Sequence, residues 1–247
     1  MTAKSEIAFL EGPRSRVKEF KFAFQTMMEL IRGFRALHFI GPCITIFGSA
    51  RFHQDHPYYD MTRKAAAAFA SLGFTILTGG GPGLMEAANR GAKDVNGRSV
   101  GCNIQLPKEQ QPNKYLDKWV YMKHFFLRKV LLVKYSFAFV VMPGGYGTLD
   151  EYFEALTLIQ THKIQNFPVI IFGCQYHQGL LQHIKQMKAD GTIGSIDDSL
   201  YLVTDSIEEA TKLIVERSIK AYGLKPKAPI KPFKWLFEKS WKSSLLA

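Results

Sequence analysis

The chain has 247 residues, of which 47% are hydrophobic and 13% aromatic, enough apolar material for a packed core and too much for a disordered chain. Its formal net charge of +11 is concentrated at the ends: residues 1–40 carry 7 basic and 4 acidic side chains, residues 41–216 carry 17 and 16, and residues 217–247 carry 8 and 1. The near-neutral middle excludes a basic nucleic-acid-binding domain, and no apolar run reaches the roughly 18 residues that a membrane span needs.

The first 40 residues differ from the rest because aromatic and Met side chains recur at mostly helical spacing from Phe20 to Phe39. This pattern predicts an N-terminal helical extension over 1–40, packed on the main domain or on a second subunit. The only earlier apolar run, Ile7 to Leu10, is too short for a signal-peptide core, so we expect a cytoplasmic protein. The three cysteines are Cys43, Cys102 and Cys174, and they form no CxxC pair. We therefore predict three reduced core thiols, with neither a disulfide framework nor a zinc site.

Residues 41–222 alternate short apolar runs with longer amphipathic ones. The predicted strands are 43–48, 74–78, 100–106, 119–122, 136–142, 168–172 and 201–203. The predicted helices are 58–72, 84–95, 123–135, 148–162, 177–189 and 206–222. Strands that are apolar throughout and separated by helices indicate a parallel sheet covered on both faces. We therefore predict an α/β, doubly wound, Rossmann-like domain over 41–222.

Residues 223–247 form a Pro- and Lys-rich tail, with three prolines between Lys225 and Pro232 that predict an extended linker. The residues after it, 233–246, have the pattern of a short amphipathic helix. The positive charge of this tail leaves open a contact with RNA or with an anionic membrane.

Glycine-rich loops follow three of the predicted strands. They are Gly48-Ser49-Ala50-Arg51, Gly79-Gly80-Gly81-Pro82-Gly83 and Pro143-Gly144-Gly145-Tyr146-Gly147-Thr148. The carboxyl ends of parallel strands share one edge of the sheet, where ligands of open α/β folds bind. Glycine lets the backbone approach a ligand, and the helix N-termini that follow attract phosphate. One such loop could be a tight turn, but the three together predict a phosphate-bearing ligand.

These loops do not match the usual dinucleotide or ATP motifs. In a GxGxxG pattern that starts at Gly81, Glu86 takes the place of the third glycine, and Asp150 does so in a pattern from Gly145. No lysine precedes Thr148, as a Walker A loop would require. His53 and His56 are three residues apart, but Pro57 breaks the helix that would align them as a pair of metal ligands. We therefore expect no metal and no cofactor, pyridoxal phosphate included.

Two acidic and two basic residues near the third loop could carry chemistry. Glu151 lies one turn into the predicted helix, and Glu154 shares its face. Thr148 and Glu151 also form a capping-box pattern, in which both would only satisfy N–H groups at the start of the helix. Arg128 and Lys129 lie on the preceding predicted helix, where a solvated face is the alternative. The residues alone leave both interpretations open.

The segment from Pro143 to Glu151, PGGYGTLDE, resembles the PGGxGTxxE signature of the LOG family, cytokinin riboside 5′-monophosphate phosphoribohydrolases that are often mislabelled lysine decarboxylases. Arg128-Lys129 matches the family's second motif. The segments Gly79–Met85 and Gly48–Ala50 resemble its other two loops. The resemblance covers roughly 44–216, and the two extensions are similar to those of longer members.

This resemblance implies hydrolysis of the N-glycosidic bond of a nucleoside 5′-monophosphate, AMP or an N6-modified AMP, to a free base and ribose 5-phosphate. It assigns catalysis to Glu151, which would stabilise positive charge on the sugar or deprotonate water, and to Arg128. It assigns substrate binding to Gly48, Ser49, Gly80, Gly81, Gly83, Met85, Lys129, Gly144, Gly145, Gly147, Thr148 and Glu154. Both a cytokinin precursor and a housekeeping nucleotide fit as the substrate.

The resemblance also bears on partners. Members of the family are dimers or larger, so it implies a homodimer or larger homo-oligomer, and the aromatic N-terminal segment supplies apolar area for one. We expect no DNA or RNA partner for the core domain. The same superfamily fold includes molybdenum-cofactor carriers, so a protein that binds a nucleotide or the molybdenum cofactor without turnover is the alternative.

Overall fold

The computed structural model describes residues 15–105, 111–165, 167–194 and 201–221, together with Gly12, Gly223, Leu224 and Phe233. Most of the tail predicted over 223–247, and all but Gly12 of the residues before Ser15, therefore lie outside the described residues.

In the described ranges, a seven-stranded parallel sheet forms the centre of the molecule. The strands are β1 (Cys43–Phe47), β2 (Thr75–Thr78), β3 (Ser99–Ile104), β4 (Lys118–Met122), β5 (Ser136–Val141), β6 (Val169–Ile171) and β7 (Tyr201–Val203). Their order is β4-β3-β2-β1-β5-β6-β7, which confirms the predicted Rossmann-like fold. The chain winds outward from β1 to β4 and returns to β5 beside β1. The direction of winding therefore reverses between β1 and β5, where such sheets bind ligands.

Helices cover both faces of the sheet. They are α1 (Arg16–Leu37), α2 (Pro57–Ser71), α3 (Leu84–Asp94), α4 (Phe125–Lys134), α5 (Tyr146–Gln160), α6 (Gln178–Ala189) and α7 (Ile207–Ile214). The last predicted helix, 206–222, is wrong as a continuous α-helix because residues Val215–Lys220 form a π-helix. Ser218 in that segment donates a hydrogen bond to the Phe137 carbonyl, a tertiary contact that no local pattern signals. Among the described residues, no helix is both long enough and apolar enough to cross a membrane.

Strand residues alternate between two apolar layers, as the two-residue period of a strand requires. On β1, Ile44 and Ile46 pack in the layer of α2, α3 and α7. Cys43 and Phe47 pack in the layer of α1, α4, α5 and α6. The prediction of a core thiol is wrong for Cys174, which lies in the loop after β6 and is partly exposed.

Candidate active site

The three glycine loops meet at the carboxyl edge of the sheet and are joined by backbone hydrogen bonds. The N–H of Ser49 donates to the Pro143 carbonyl at 3.0 Å, and the N–H of Leu84 donates to the Ser49 carbonyl at 2.9 Å. The loop after β1 therefore lies between the other two, at the point where the winding reverses.

Two of the glycines predicted to bind substrate are packed against the protein itself. A Cβ atom on Gly48 would lie 2.8 Å from the Leu84 Cβ atom. Gly83 has φ +68°, and a Cβ atom there would overlap the Ser49 carbonyl oxygen. These glycines are needed so that the loops can approach one another.

The loop after β2 is held by a buried polar network. The Gly80 N–H donates to Thr78 Oγ1 at 2.9 Å, and the Gly81 carbonyl accepts from Asn113 Nδ2 at 3.0 Å. Thr78 Oγ1 and Asn113 Nδ2 both donate to Asn89 Oδ1, at 2.7 Å and 2.9 Å. Neither Asn89 nor Asn113 was predicted from the sequence. For Asn89 there was a signal, because its amide lies on the alanine-rich, buried face of α3.

The loop before α5 is open. Helix α5 begins at Tyr146, with Gly145 as its N-cap, and no side-chain cap bond is formed within the described structure. The capping box is therefore wrong: Thr148 lies inside the first turn, where its N–H bonds the Gly145 carbonyl at 3.0 Å. Apart from the adjoining residues and the backbone of α5 itself, no described atom lies within 4 Å of a Cβ added to Gly145 or Gly147. The free N–H groups and positive dipole end of α5 suit an anion at this spot.

Glu151 projects from α5 into a buried position, where it is 3% exposed. Its Oε2 atom has no hydrogen-bond partner in the described part of the chain. Burial raises the pKa of Glu151 to about 7, against the lowering effect of the Lys129 and Arg128 charges. A buried carboxyl group that titrates near neutrality can exchange a proton with a reacting molecule.

Lys129 of α4 contacts the acidic residues of α5. Its Nζ atom lies 2.5 Å from Glu154 Oε2, 2.9 Å from Asp150 Oδ2 and 4.0 Å from Glu151 Oε2. Burial acts to lower the pKa of Lys129, but the hydrogen bonds to Glu154 and Asp150 leave it above its usual value. The side chain is only 16% exposed, so the alternative of a solvated helix face is wrong for Lys129.

Arg128, also on α4, points to the loop after β2. Its Nε–H donates to the Cys102 carbonyl at 3.0 Å. A Cβ atom on Gly79 would lie 2.6 Å from Arg128 Nη2 and 2.8 Å from Met85 Sδ. Gly79 thus makes room for both side chains. The guanidinium has five N–H donors in all, and its positive charge lowers the pKa of Glu151.

The predicted residues thus fall into four groups. Glu151, Lys129 and Glu154 lie together, Arg128 and Met85 flank Gly79, and the open start of α5 is formed by Gly145, Gly147 and Thr148. Gly48, Ser49, Gly80, Gly81 and Gly83 form the packed loops, and Gly144 lies buried against the Thr148 side chain. Asn103 at the end of β3 was missed; its buried Nδ2 has no hydrogen-bond partner among the described residues. Those residues also contain no cluster of three His, Cys, Asp or Glu side chains that could hold a metal ion.

Comparison with known proteins identifies relatives of this chain. A family model described as "possible lysine decarboxylase" matches residues 85–214. The cytokinin riboside 5′-monophosphate phosphoribohydrolase LOG3 of Arabidopsis thaliana is 26% identical over 179 residues, 70% of this chain and 81% of that protein. A cytokinin riboside 5′-monophosphate phosphoribohydrolase of Mycobacterium tuberculosis is 27% identical over 161 residues, 62% of this chain and 83% of that protein.

Solved structures share the fold. The molybdenum cofactor carrier protein of Chlamydomonas reinhardtii superposes with a TM-score of 0.52 at 20% identity, over 73% of this chain and 99% of that one. The molybdenum cofactor binding protein of Rippkaea orientalis has a TM-score of 0.52 at 23% identity, over 71% and 96%. At these identities the likeness is one of fold.

Proposed function

This chain belongs to the possible lysine decarboxylase family, also called the LOG family, and we propose that it hydrolyses the N-glycosidic bond of a nucleoside 5′-monophosphate. The substrate is AMP or an N6-modified AMP, and the products are a free base and ribose 5-phosphate. The observation that carries this proposal is the buried Oε2 atom of Glu151, which has no hydrogen-bond partner among the described residues. Glu151 lies about one turn after the open N-terminus of α5.

The 5′-phosphate binds at the start of α5, where Gly145 and Gly147 allow close approach and Thr148 supplies a hydroxyl. Gly144 permits the turn because a side chain there would collide with Thr148. The packed glycines, Gly48 and Gly83, shape the wall of the cleft. The backbone of Ser49 joins the three glycine loops by its hydrogen bonds to Pro143 and Leu84.

Glu151 performs the chemical step. As the bond to the base breaks, positive charge develops on the sugar, and a carboxylate near C1′ stabilises it. The same carboxylate accepts a proton from the water whose oxygen attacks C1′, while the electrons of the broken bond leave with the base. The departing base takes up one proton, and Glu151 gives up the one that it accepted, directly or through solvent, so that the free base is released and the carboxylate is restored. A pKa of about 7 leaves a substantial ionised fraction at neutral pH and still permits proton transfer.

Arg128 and Lys129 set the charge around Glu151. Both cations lower its pKa and so counter the effect of burial. Lys129 is itself held by Glu154, while Arg128 reaches the opposite loop, beside Met85, where it is placed to contact the base or the phosphate.

The test is release of ribose 5-phosphate from AMP and from N6-substituted AMP by the purified chain, with adenosine as the control that lacks the phosphate. Glu151→Gln should lower kcat about 10²–10⁴-fold and change KM little, because it removes a proton acceptor and leaves the phosphate site intact. Glu216→Gln, an exposed carboxylate on the π-helix, is the matched control. Full activity in Glu151→Gln would remove Glu151 from the reaction.

A carrier without turnover is the second candidate, since two proteins of this fold are named as molybdenum cofactor carrier and binding proteins. A binder needs no buried carboxyl group of pKa about 7 beside an arginine, which favours the hydrolase. Nucleotide that stays bound and intact for hours would favour the carrier.

We further propose a homodimer or larger homo-oligomer. Large apolar side chains lie exposed along α1, β4 and α4, and such a patch marks an interface. They include Val17, Phe20, Phe24, Met27, Trp119, Tyr121, Phe125 and Phe126. Light scattering should give a multiple of the 28.0 kDa chain mass, and Phe20→Asp with Phe24→Asp should reduce it.

A cytoplasmic location is part of the same proposal, because all three thiols are free, as in a reducing compartment. The division into 1–40, 41–222 and 223–247 is also proposed. Limited proteolysis that first removes the tail and leaves 41–222 intact would support it.

A further inference from the structure

Glu29 of α1 is a buried carboxylate that bonds residues far away in the chain. It is 7% exposed and accepts hydrogen bonds from the backbone N–H groups of Lys123 at 2.6 Å and His124 at 3.2 Å. Its second oxygen lies 2.8 Å from Nδ1 of His124. All three contacts fall on the two residues that precede α4, the helix that carries Arg128 and Lys129.

Helix α4 has little local stabilisation at its start. Its N-cap, His124, makes no side-chain cap bond within the described structure, and its first turn contains no acidic residue. A helix N-terminus carries a partial positive charge, which a nearby carboxylate stabilises. Glu29, 95 positions away along the chain from His124, supplies the negative charge that the local sequence lacks.

Helix α1 also contacts α4 farther along. Gly33 lies so close that a Cβ atom there would come within 2.6 Å of Leu131 Cδ1. Tyr135, the C-cap of α4, donates a hydrogen bond to the Phe34 carbonyl at 3.3 Å. Helix α1 thus contacts α4 along its whole length. Glu29 makes the hydrogen bonds at the N-terminal end of α4, one turn before Arg128.

We propose that Glu29 is a positioning residue for the site: it fixes the start of α4 and thereby places Arg128 and Lys129 relative to Glu151. The kinetic part of this inference rests on the proposed function. Lys129 Nζ is 4.0 Å from Glu151 Oε2, so a small displacement of α4 changes the charge that Glu151 experiences. The N–H groups proposed to hold the phosphate lie on a different helix, α5, so KM should change less than kcat.

A displaced α4 has a distinctive effect on pH dependence. The charged groups around Glu151 are Arg128 and Lys129 on α4 and Asp150 and Glu154 on α5, with the neutral Cys102 thiol on β3. The two cations lower the pKa of Glu151, so moving them away raises it. The acid limb of the kcat/KM profile, where Glu151 must be ionised, then moves to higher pH.

The kinetic test compares Glu29→Ala with Glu29→Gln, which retains an acceptor for the backbone N–H groups. Glu29→Ala should lower kcat for AMP about tenfold, leave KM within about threefold and move the acid limb up by about half a pH unit. Glu29→Gln should keep most of kcat. Glu19→Ala, which removes an exposed carboxylate from the same helix, should match the parent protein.

Hydrogen exchange of the ligand-free protein tests the same inference without any activity. Amides of residues 124–131 should exchange about tenfold faster in Glu29→Ala, while those of α5 stay unchanged. If the parent protein hydrolyses no nucleotide, the proposed function fails and this exchange alone decides the role of Glu29. If Glu29→Ala does not fold, Glu29→Asp is tested in its place. Unchanged kcat, pH profile and exchange, or a loss confined to KM, would overturn the inference.

Discussion

The loop before α3 and the loop before α5 both connect a buried parallel strand to a helix N-terminus, yet the protein fills only one of them. In the first, Gly83 lies against the backbone of the loop after β1, and the buried Asn89 of α3 is bonded on both sides. In the second, Gly147 faces open space, and the buried Glu151 of α5 keeps an oxygen without a partner among the described residues. In the first loop, the protein itself fills the space and bonds the buried amide. In the second, the space beside Gly147 and an oxygen of Glu151 are available for a ligand.

This difference has an energetic meaning. A buried polar group without a hydrogen bond costs about 1–3 kcal/mol, so folded proteins seldom retain one. The α3 side avoids that cost through Thr78 and Asn113. The α5 side does not, which is typical of sites where function competes with stability. Substitutions matched between the two loops should separate packing glycines from binding glycines.

The largest effect is expected at the packed loop. Gly83→Ala should lower the free energy of unfolding by about 4 kcal/mol, since its φ is +68° and the new Cβ atom would lie 2.6 Å from the Ala50 carbonyl carbon. Urea denaturation measures the loss. Gly73→Ala is the control: its φ is +92°, but no described atom lies within 4 Å, so only backbone strain remains. Equal losses in the two variants would show that the loops are not closely packed.

The second effect concerns the α5 side and appears in stability against pH. The pKa of Glu151 is about 7 in the folded protein and 4.5 ordinarily, so between these values the folded state binds more protons than the unfolded state. Stability should therefore fall as pH rises from 4.5 to 7, by up to about 3 kcal/mol. Glu151→Gln should lack this fall and be the more stable protein at pH 8. Parallel stability curves for the two proteins would contradict the pKa of about 7.

Local patterns predicted the strands well because most strands are short runs rich in buried apolar residues. Helix starts were less accurate: α5 begins at Tyr146, two residues before the predicted start at 148, because Gly145 caps it by its backbone. That shift decides whether Glu151 is a cap or a free carboxyl group, and only the folded chain shows it. Likewise, Glu29 bonds His124 across 95 positions, a distance over which periodicity carries no information. The nine-residue signature predicts a site at the loop before α5, but it does not distinguish packed glycines from open ones.

The third effect is on binding at the open loop. Gly147→Ala should raise KM for AMP about tenfold, because the methyl group occupies the space proposed for the phosphate. Its stability should be unchanged or up to about 1 kcal/mol higher, since Ala favours a helix. Gly179→Ala changes the same position of α6, again with no described atom within 4 Å, and should leave KM unaltered. An unchanged KM in Gly147→Ala would place the phosphate elsewhere.

The smallest effect should come from the contact that supports the open loop from outside. The Tyr176 hydroxyl donates a hydrogen bond to the Gly144 carbonyl at 2.9 Å, where the chain turns towards α5. Tyr176→Phe removes this bond and keeps the ring contact with Tyr58, so stability should fall by about 1 kcal/mol. KM for AMP should rise about threefold, because a looser Gly144 holds the helix N-terminus at the proposed phosphate site less firmly. Tyr146→Phe removes a hydroxyl from a side chain that is 95% exposed, so its free energy of unfolding should match the parent protein. If Tyr176→Phe loses stability with no change in KM, the hydrogen bond supports the fold alone, and the open loop keeps its shape without it.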